Sequence, residues 1–508
     1  MKPLFPRLLA LLGLVAAAQA EVKLPPVISS HMVLQREQAV PIWGTAAPGE
    51  KVTVKFRGQA KEATADDQGK WAVKLDPLTA GGPDVLSVNN LQLEDVLVGE
   101  VWVGSGQSNM QMGVGSYAKG DDPLAKLAAE TYPQLRLMCV GFPTWKPAEP
   151  ANSQGFSALL FAFGCRLHLA LKVPVGLMVG AVGGTPSGFW LSERAYAEDA
   201  ACKEVVAKAN QGFNYDAAKA RYDEELAKWQ KAADDAKAKG QREPRKPDPV
   251  LRPGECRGKV GHLYEANIRP LMPFGMKGVL WDQGESGTAI QAVDQYTLMG
   301  ALIRGWRKEW AQGDFPFIYV QKPSGNGCAW DPKDPVTEKG QPFGPLPATV
   351  PNDGAYREVH IRIMGYPNTG MAISTDLGPG VHPTQKSGYG ARAMQVALGM
   401  VYRRPVEYYG PVYQAHAVED AKVRIRFTHV GKGLAVGRAD KLQGFALAGE
   451  DRKFVWADAV IDGDSVVVSS AQVPKPVAVR YAWSNNSTWA NLFNKDGLPA
   501  IPFRTDSW

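Results

Sequence analysis

The sequence predicts an α/β fold: a mostly parallel sheet with helices on both faces, flanked by N- and C-terminal β-sandwich-like modules and broken by a helical insertion. Three observations carry this. Between residues 96 and 405, apolar strand-like runs alternate with helical stretches, as in "VLVGEVWVGS", "LLFAFGCRLHLALK", "VPVGLMVGAVGG", "MKGVLWDQGES" and "FPFIYVQ". Before and after that span the chain reads as short strands. One charged stretch, residues 196–254, has a helical period of its own.

The first twenty residues, "MKPLFPRLLALLGLVAAAQA", have a basic start (Lys2, Arg7), an apolar run over 8–18, and Ala18-Gln19-Ala20 before Glu21. That is the layout of a secretory signal peptide, so a periplasmic or secreted protein is expected. The run is too short to span a bilayer comfortably. No later segment is apolar enough to do so, and no membrane partner is expected after signal removal. Residues 21–95 form the N-terminal β module. There "KVTVKF" puts Val52, Val54 and Phe56 on one face, and "KWAVKL" does the same with Trp71, Val73 and Leu75. The turn Asp66-Asp67-Gln68-Gly69 lies between them.

The α/β domain is expected over 96–195 and 255–405. In the insertion at 196–254, Tyr215, Tyr222, Trp229 and Ala236 recur every seven residues, with Ala218, Leu226 and Ala233 in the seam. This predicts a helix with a narrow apolar stripe, ended by Gly240 and the proline-rich "EPRKPDPVLRP". It reads as an arm packed on itself or on the body, or else as a lid or oligomer contact. Residues 406–508, with "KVRIRFTHV", "LQGFALAG" and "PVAVRYAWSN", form the second β module.

The formal net charge of +6 comes from interspersed acids and bases, which excludes the footprint of a nucleic-acid binder. The five cysteines show no CxxC pair, which argues against structural zinc. An oxidising compartment permits disulfides. Cys202 and Cys256 flank the insertion and could staple its base. The odd count leaves at least one free thiol or an intermolecular bond.

In parallel sheets the active site lies beyond the carboxyl ends of the strands, and four polar stretches fall there. The first is "GSGQSNMQM". Gly104 and Gly106 permit close approach and positive φ, so the turn can present Ser108 and aim its own N–H above the hydroxyl. Met110 stands where a G-x-S-x-G elbow needs glycine. Ser105 is a rival nucleophile, closer to the strand. The second stretch, "VGAVGGTPSGFW", offers the N–H groups of Gly183 and Gly184. The third, "VLWDQGESG", offers the Gln283 amide as an oxyanion donor and Glu285 to orient a partner. The fourth, "STDLGPGVHPTQKSGYGARA", brings Asp376 at a strand end and His382 in an open loop. Serine needs a general base, and His382 is selected by elimination among seven histidines. His31, His416 and His429 sit in the β modules, His168 lies in an apolar helix, and His262 and His360 lack so open a loop.

These ordered blocks resemble the sialate O-acetylesterase-like carbohydrate esterases of the SGNH hydrolase superfamily. "HMVLQREQAVPIWGTAAPGEKVTV", "GEVWVGSGQSNMQM", "VPVGLMVGAVGGTPSGFW", "GVLWDQGESG" and "NLFNKDGLPAIPFR" carry the resemblance across nearly the whole mature chain. It implies an SGNH-type, flavodoxin-like three-layer catalytic domain. It also implies an exported serine esterase that removes O-acetyl groups from carbohydrate through an acetyl-serine intermediate, without metal or organic cofactor. The partner would be an acetylated oligo- or polysaccharide: sialic acid, or a plant cell-wall polymer such as xylan or xyloglucan. Ser108 would be the nucleophile and His382 the base. Gly184 (or Gly183) and Gln283 would join the Ser108 N–H in the oxyanion hole.

Two departures stand out. The family usually carries aspartate two residues before the histidine, where this chain has Gly380; three residues before stands Pro379. Asp376 is then the expected acid, with Glu285 as the alternative and a backbone carbonyl as the third possibility. Asp282 replaces an aromatic and Gly287 an asparagine, both expected to flank the pocket. The missing local acid keeps two other readings open: a non-catalytic carbohydrate-binding protein on an esterase scaffold, and another SGNH aryl- or thioesterase.

Overall fold

The computed structural model describes residues 21–508, and the signal-like segment lies outside the described residues. One long strand, β1 (Leu91–Gly106), joins two parts of the molecule. Its first residues alternate in burial, and its start pairs antiparallel with the strand Gly81–Val88. From Val96 to Gly106 every residue is buried, as expected of a strand covered on both faces. The change of texture at residue 96 in the sequence marks this passage into the central sheet.

The other strands of that sheet are β2 (Tyr132–Cys139), β3 (Phe142–Ala148), β4 (Val175–Ala181), β5 (Gly278–Asp282), β6 (Phe317–Val320) and β7 (Thr369–Ala372). Their spatial order is β7-β6-β5-β1-β4-β2-β3. All pairs are parallel except the edge hairpin β2–β3. Without that hairpin, the remaining five strands follow the flavodoxin-like order, whose switch point lies between β1 and β5.

Helix α1 (Ala158–Leu171) covers one face beside α3 (Lys386–Val396), and Phe163 of α1 meets Trp102 of β1 edge-on at 5.0 Å. Helix α2 (Gln295–Trp310) covers the other, where Trp306 meets Trp281 of β5 at 5.9 Å. The N-terminal strands share this core, and the C-terminal strands build a second one around residues such as Ile425, Phe445, Val466 and Tyr481.

The insertion contains the helix Tyr215–Ala238, capped by Asn214, whose Oδ1 accepts from the Ala217 N–H at 3.0 Å. The predicted stripe is its shielded face, and the chain's own return covers it. Trp229 Nε1 donates to the Pro244 carbonyl at 2.9 Å, and Arg252 lies over Tyr215 at 4.4 Å. The arm therefore packs on itself. The expected Cys202–Cys256 staple is not formed, since all five cysteines are free thiols. Cys202 is buried in its helix, and the base is closed by hydrogen bonds instead: the Tyr196 hydroxyl donates to the Gly254 carbonyl at 2.9 Å. No helix among the described residues is long and apolar enough to cross a membrane.

Candidate active site

The end of β1 sits hard against the end of β5. Gly106 has φ +128°, and a Cβ there would lie 2.1 Å from the Asp282 carbonyl oxygen, so no other residue fits. The Gln107 N–H donates to that carbonyl at 2.9 Å. The chain then turns into the one-turn helix Ser108–Gln111, which lifts Ser108 partly clear of the sheet. Ser105 stays fully buried with its hydroxyl unpartnered, out of reach of any substrate.

Ser108 Oγ lies 2.8 Å from His382 Nε2. The imidazole comes from the exposed stretch 379–382, which follows β7. With the ring proton on Nδ1, the serine hydroxyl donates to Nε2, the arrangement a general base requires. Among the described residues, no carboxylate lies within ion-pair distance of His382 and no carbonyl accepts from its Nδ1.

Both expected acids are placed elsewhere. Asp376 is fully buried and ion-paired with Arg392 of α3. Burial raises its pKa, and Arg392 only partly offsets this. The chain turns inward after β7, so the Asp376 side chain lies beneath α3 while His382 stays outside. Glu285 belongs to a buried network. It accepts from the Gln107 side-chain amide, from Asn109 Nδ2 at 3.2 Å, and from Lys322 Nζ at 2.6 Å.

Lys322 Nζ also lies 2.7 Å from Asp282. Burial works against the charge on Lys322, but its two carboxylate neighbours hold its pKa above the ordinary lysine value. Burial also opposes the Glu285 charge, yet Lys322 holds that carboxyl below its ordinary range. Asp282, buried more completely, is pushed up despite the same lysine. Asp282 is 1% exposed, so it supports the floor rather than flanking a pocket; Gly287 is exposed, with φ +62°.

The oxyanion donors divide differently from the expected set. The Gly183 N–H donates to Gln111 Oε1 at 2.8 Å, and a Cβ on Gly183 would lie 3.4 Å from Ser108 Cβ. Gly184 follows with φ +71° in open space. Its N–H, like that of Ser108, has no acceptor among the described residues. Gln283 is buried, and its Nε2 lies 3.3 Å from the carbonyls of both Thr185 and Gly287. Its Oε1 accepts from Gln295 at 3.2 Å. This amide ties two turns together and is not free for an oxyanion, because its hydrogens already face carbonyls.

No protein-family model matches the chain. The sialate O-acetylesterases of Homo sapiens and Rattus norvegicus are 27% and 28% identical to it, over 94% of this chain and 91% and 93% of theirs. A solved structure, a carbohydrate acetylesterase from Xanthomonas citri, is 31% identical with a TM-score of 0.71, over 96% of this chain and 100% of that one. The chain belongs to the sialate O-acetylesterase-like carbohydrate esterases.

Sequence reading missed three polar residues that this esterase packs beneath its serine. Lys322 follows β6, and a cation at the carboxyl end of a buried strand was a readable signal. Asn109 was visible only as the neighbour of Ser108. Its Oδ1 accepts from Lys386 Nζ at 2.6 Å, and its Nδ2 donates to the Val381 carbonyl at 2.9 Å. Lys386 opens α3 and is fully buried over the rings of Tyr117 and Tyr389, at 4.6 and 5.3 Å. Burial lowers its pKa to about 7. Nothing in its sequence neighbourhood marks it as buried.

Proposed function

We propose that this protein is an exported serine esterase of the SGNH type that removes O-acetyl groups from carbohydrate. The observation that carries the reading is the 2.8 Å contact between Ser108 Oγ and His382 Nε2 at the β1–β5 switch point. Ser108 attacks the acetyl carbonyl while His382 takes its proton. The oxyanion meets the free N–H groups of Ser108 and Gly184. As the intermediate collapses and the bond between the acetyl carbon and the sugar oxygen breaks, His382 returns the proton to the departing sugar oxygen, which leaves as a hydroxyl. In the second half His382 activates water, which releases acetate from the acetyl-serine.

The family relationship and the names of the relatives support an acetylated sugar as substrate; sialic acid and cell-wall polysaccharides such as xylan or xyloglucan are the candidates of this proposal. Exposure of His382 and Gly184 leaves the site open to an ester on a bulky glycan. The layout of residues 1–20 supports export to the periplasm or beyond.

The test is acetate release from acetylated xylan, xyloglucan and O-acetylated sialic acid by wild type and Ser108→Ala. The variant should lose activity by ~10⁴-fold or more on the preferred glycan. Full activity in Ser108→Ala would overturn the mechanism, and acetate from none of the glycans would overturn the substrate class.

A further inference from the structure

A histidine base without a carboxylate partner still has to be held in place. In a well-studied triad, loss of the acid costs about 10⁴-fold. We propose that Asn109 is the positioning residue of His382: its amide, fixed between Lys386 and Glu285, holds the Val381 carbonyl and so sets the imidazole against Ser108. The inference rests on the Ser108–His382 reading of the site.

The stretch 379–382 is exposed, and its backbone has little else to hold it. Among the described residues, the bond from Asn109 Nδ2 to the Val381 carbonyl is the one hydrogen bond that ties this backbone to the body. The orientation of the amide is unambiguous. The Val381 carbonyl and the Glu285 carboxylate can only accept, so both must face the NH₂ end; the lysine donates, so it must face the oxygen. Lys386 keeps that role in either protonation state, because a neutral amine still donates.

Asn109 is 1% exposed, so its partners are not exchanged for water. It also follows Ser108 directly in the chain. Nucleophile and base are thus referenced to one residue, through its main chain on one side and its side chain on the other. A misplacement of about 1 Å between reacting groups can cost about 10²-fold in rate.

The test is a double-mutant cycle with p-nitrophenyl acetate, using Asn109→Asp, His382→Ala and the double variant, with folding checked by thermal melts. Asn109→Asp is isosteric and, as a carboxylate beside Lys386, keeps an acceptor for that lysine but has no hydrogen to donate to Val381. In the wild-type background it should lower kcat by about 100-fold while KM stays near wild type. In the His382→Ala background it should have no further effect, because it acts through the histidine.

Wild-type kcat in Asn109→Asp, or an equal loss in both backgrounds, overturns the proposal. If His382→Ala retains full activity, the Ser108–His382 reading falls and this inference falls with it. Should Asn109→Asp fail to fold, Asn109→Ala in the same cycle decides by the same criteria.

Discussion

Asp376 pairs with Arg392 and leaves His382 without a carboxylate. Both members of this pair are buried, so the contact is structural. Asp376→Asn should therefore lower stability by ~3 kcal/mol, because it strands a buried guanidinium. The kcat of the folded fraction should stay at the wild-type value. Urea melts and active-site-normalised kinetics check this. A large kcat loss with unchanged stability would restore Asp376 as the acid.

Gly380 stands where relatives are expected to carry the acid, yet restoring aspartate there should not help. Space is not the obstacle, since a Cβ on Gly380 would meet nothing within 4 Å. The obstacle is its φ of +95°, next to the carbonyl that Asn109 holds. A side chain in such a conformation costs about 1–3 kcal/mol and would shift Val381. Gly380→Asp and Gly380→Ala should both lower kcat, by about tenfold. A Gly380→Asp enzyme faster than wild type would show that the loop accepts a triad.

Where the sequence pattern is periodic, it was legible. The texture change at residue 96 marks where β1 becomes buried on both faces, and the sevens from Tyr215 to Ala236 mark the shielded face of one helix. Ser108 and His382, 274 positions apart, were legible because both follow strands whose carboxyl ends share one edge. Illegible was the direction a side chain takes after its strand ends. Asp376 turns in and His382 stays out, although six positions separate them in one glycine-rich loop. Gln283 reads as a free amide until Thr185 and Gly287 appear on either side of it. Such choices depend on partners distant in sequence, which strand and helix periods do not encode.

Ser105 and Ser108 are both serines of the same glycine-rich run, and burial separates their roles. The Ser105 hydroxyl is enclosed and unpartnered. Removing a buried hydroxyl without a partner relieves its desolvation penalty, which is about 1–3 kcal/mol for such groups. Ser105→Ala should keep full esterase activity and melt at or above the wild-type temperature. Loss of activity in a folded Ser105→Ala protein would mean that the hydroxyl is part of the reaction.

His360 should make the fold acid-sensitive. It is fully buried beside the network, with Nδ1 3.2 Å from the Tyr356 carbonyl and Nε2 unpartnered. A Cβ on Gly284 would lie 2.7 Å from that Nε2, so no water fits between ring and turn. Burial lowers the pKa of His360 from 6.5 to about 4, and the nearby Lys322 charge adds to the shift. The unfolded chain takes up a proton near 6.5 while the native ring stays neutral. The stabilisation from this site is complete above that pH and is lost as pH falls toward 4, by ~3 kcal/mol in all. Urea midpoints of wild type and His360→Gln should run parallel above about pH 7 and change relative to each other most steeply between about 6 and 4.5, with wild type losing more stability. Parallel curves for the two proteins across that range would mean that the native ring takes up its proton at the same pH as the unfolded one.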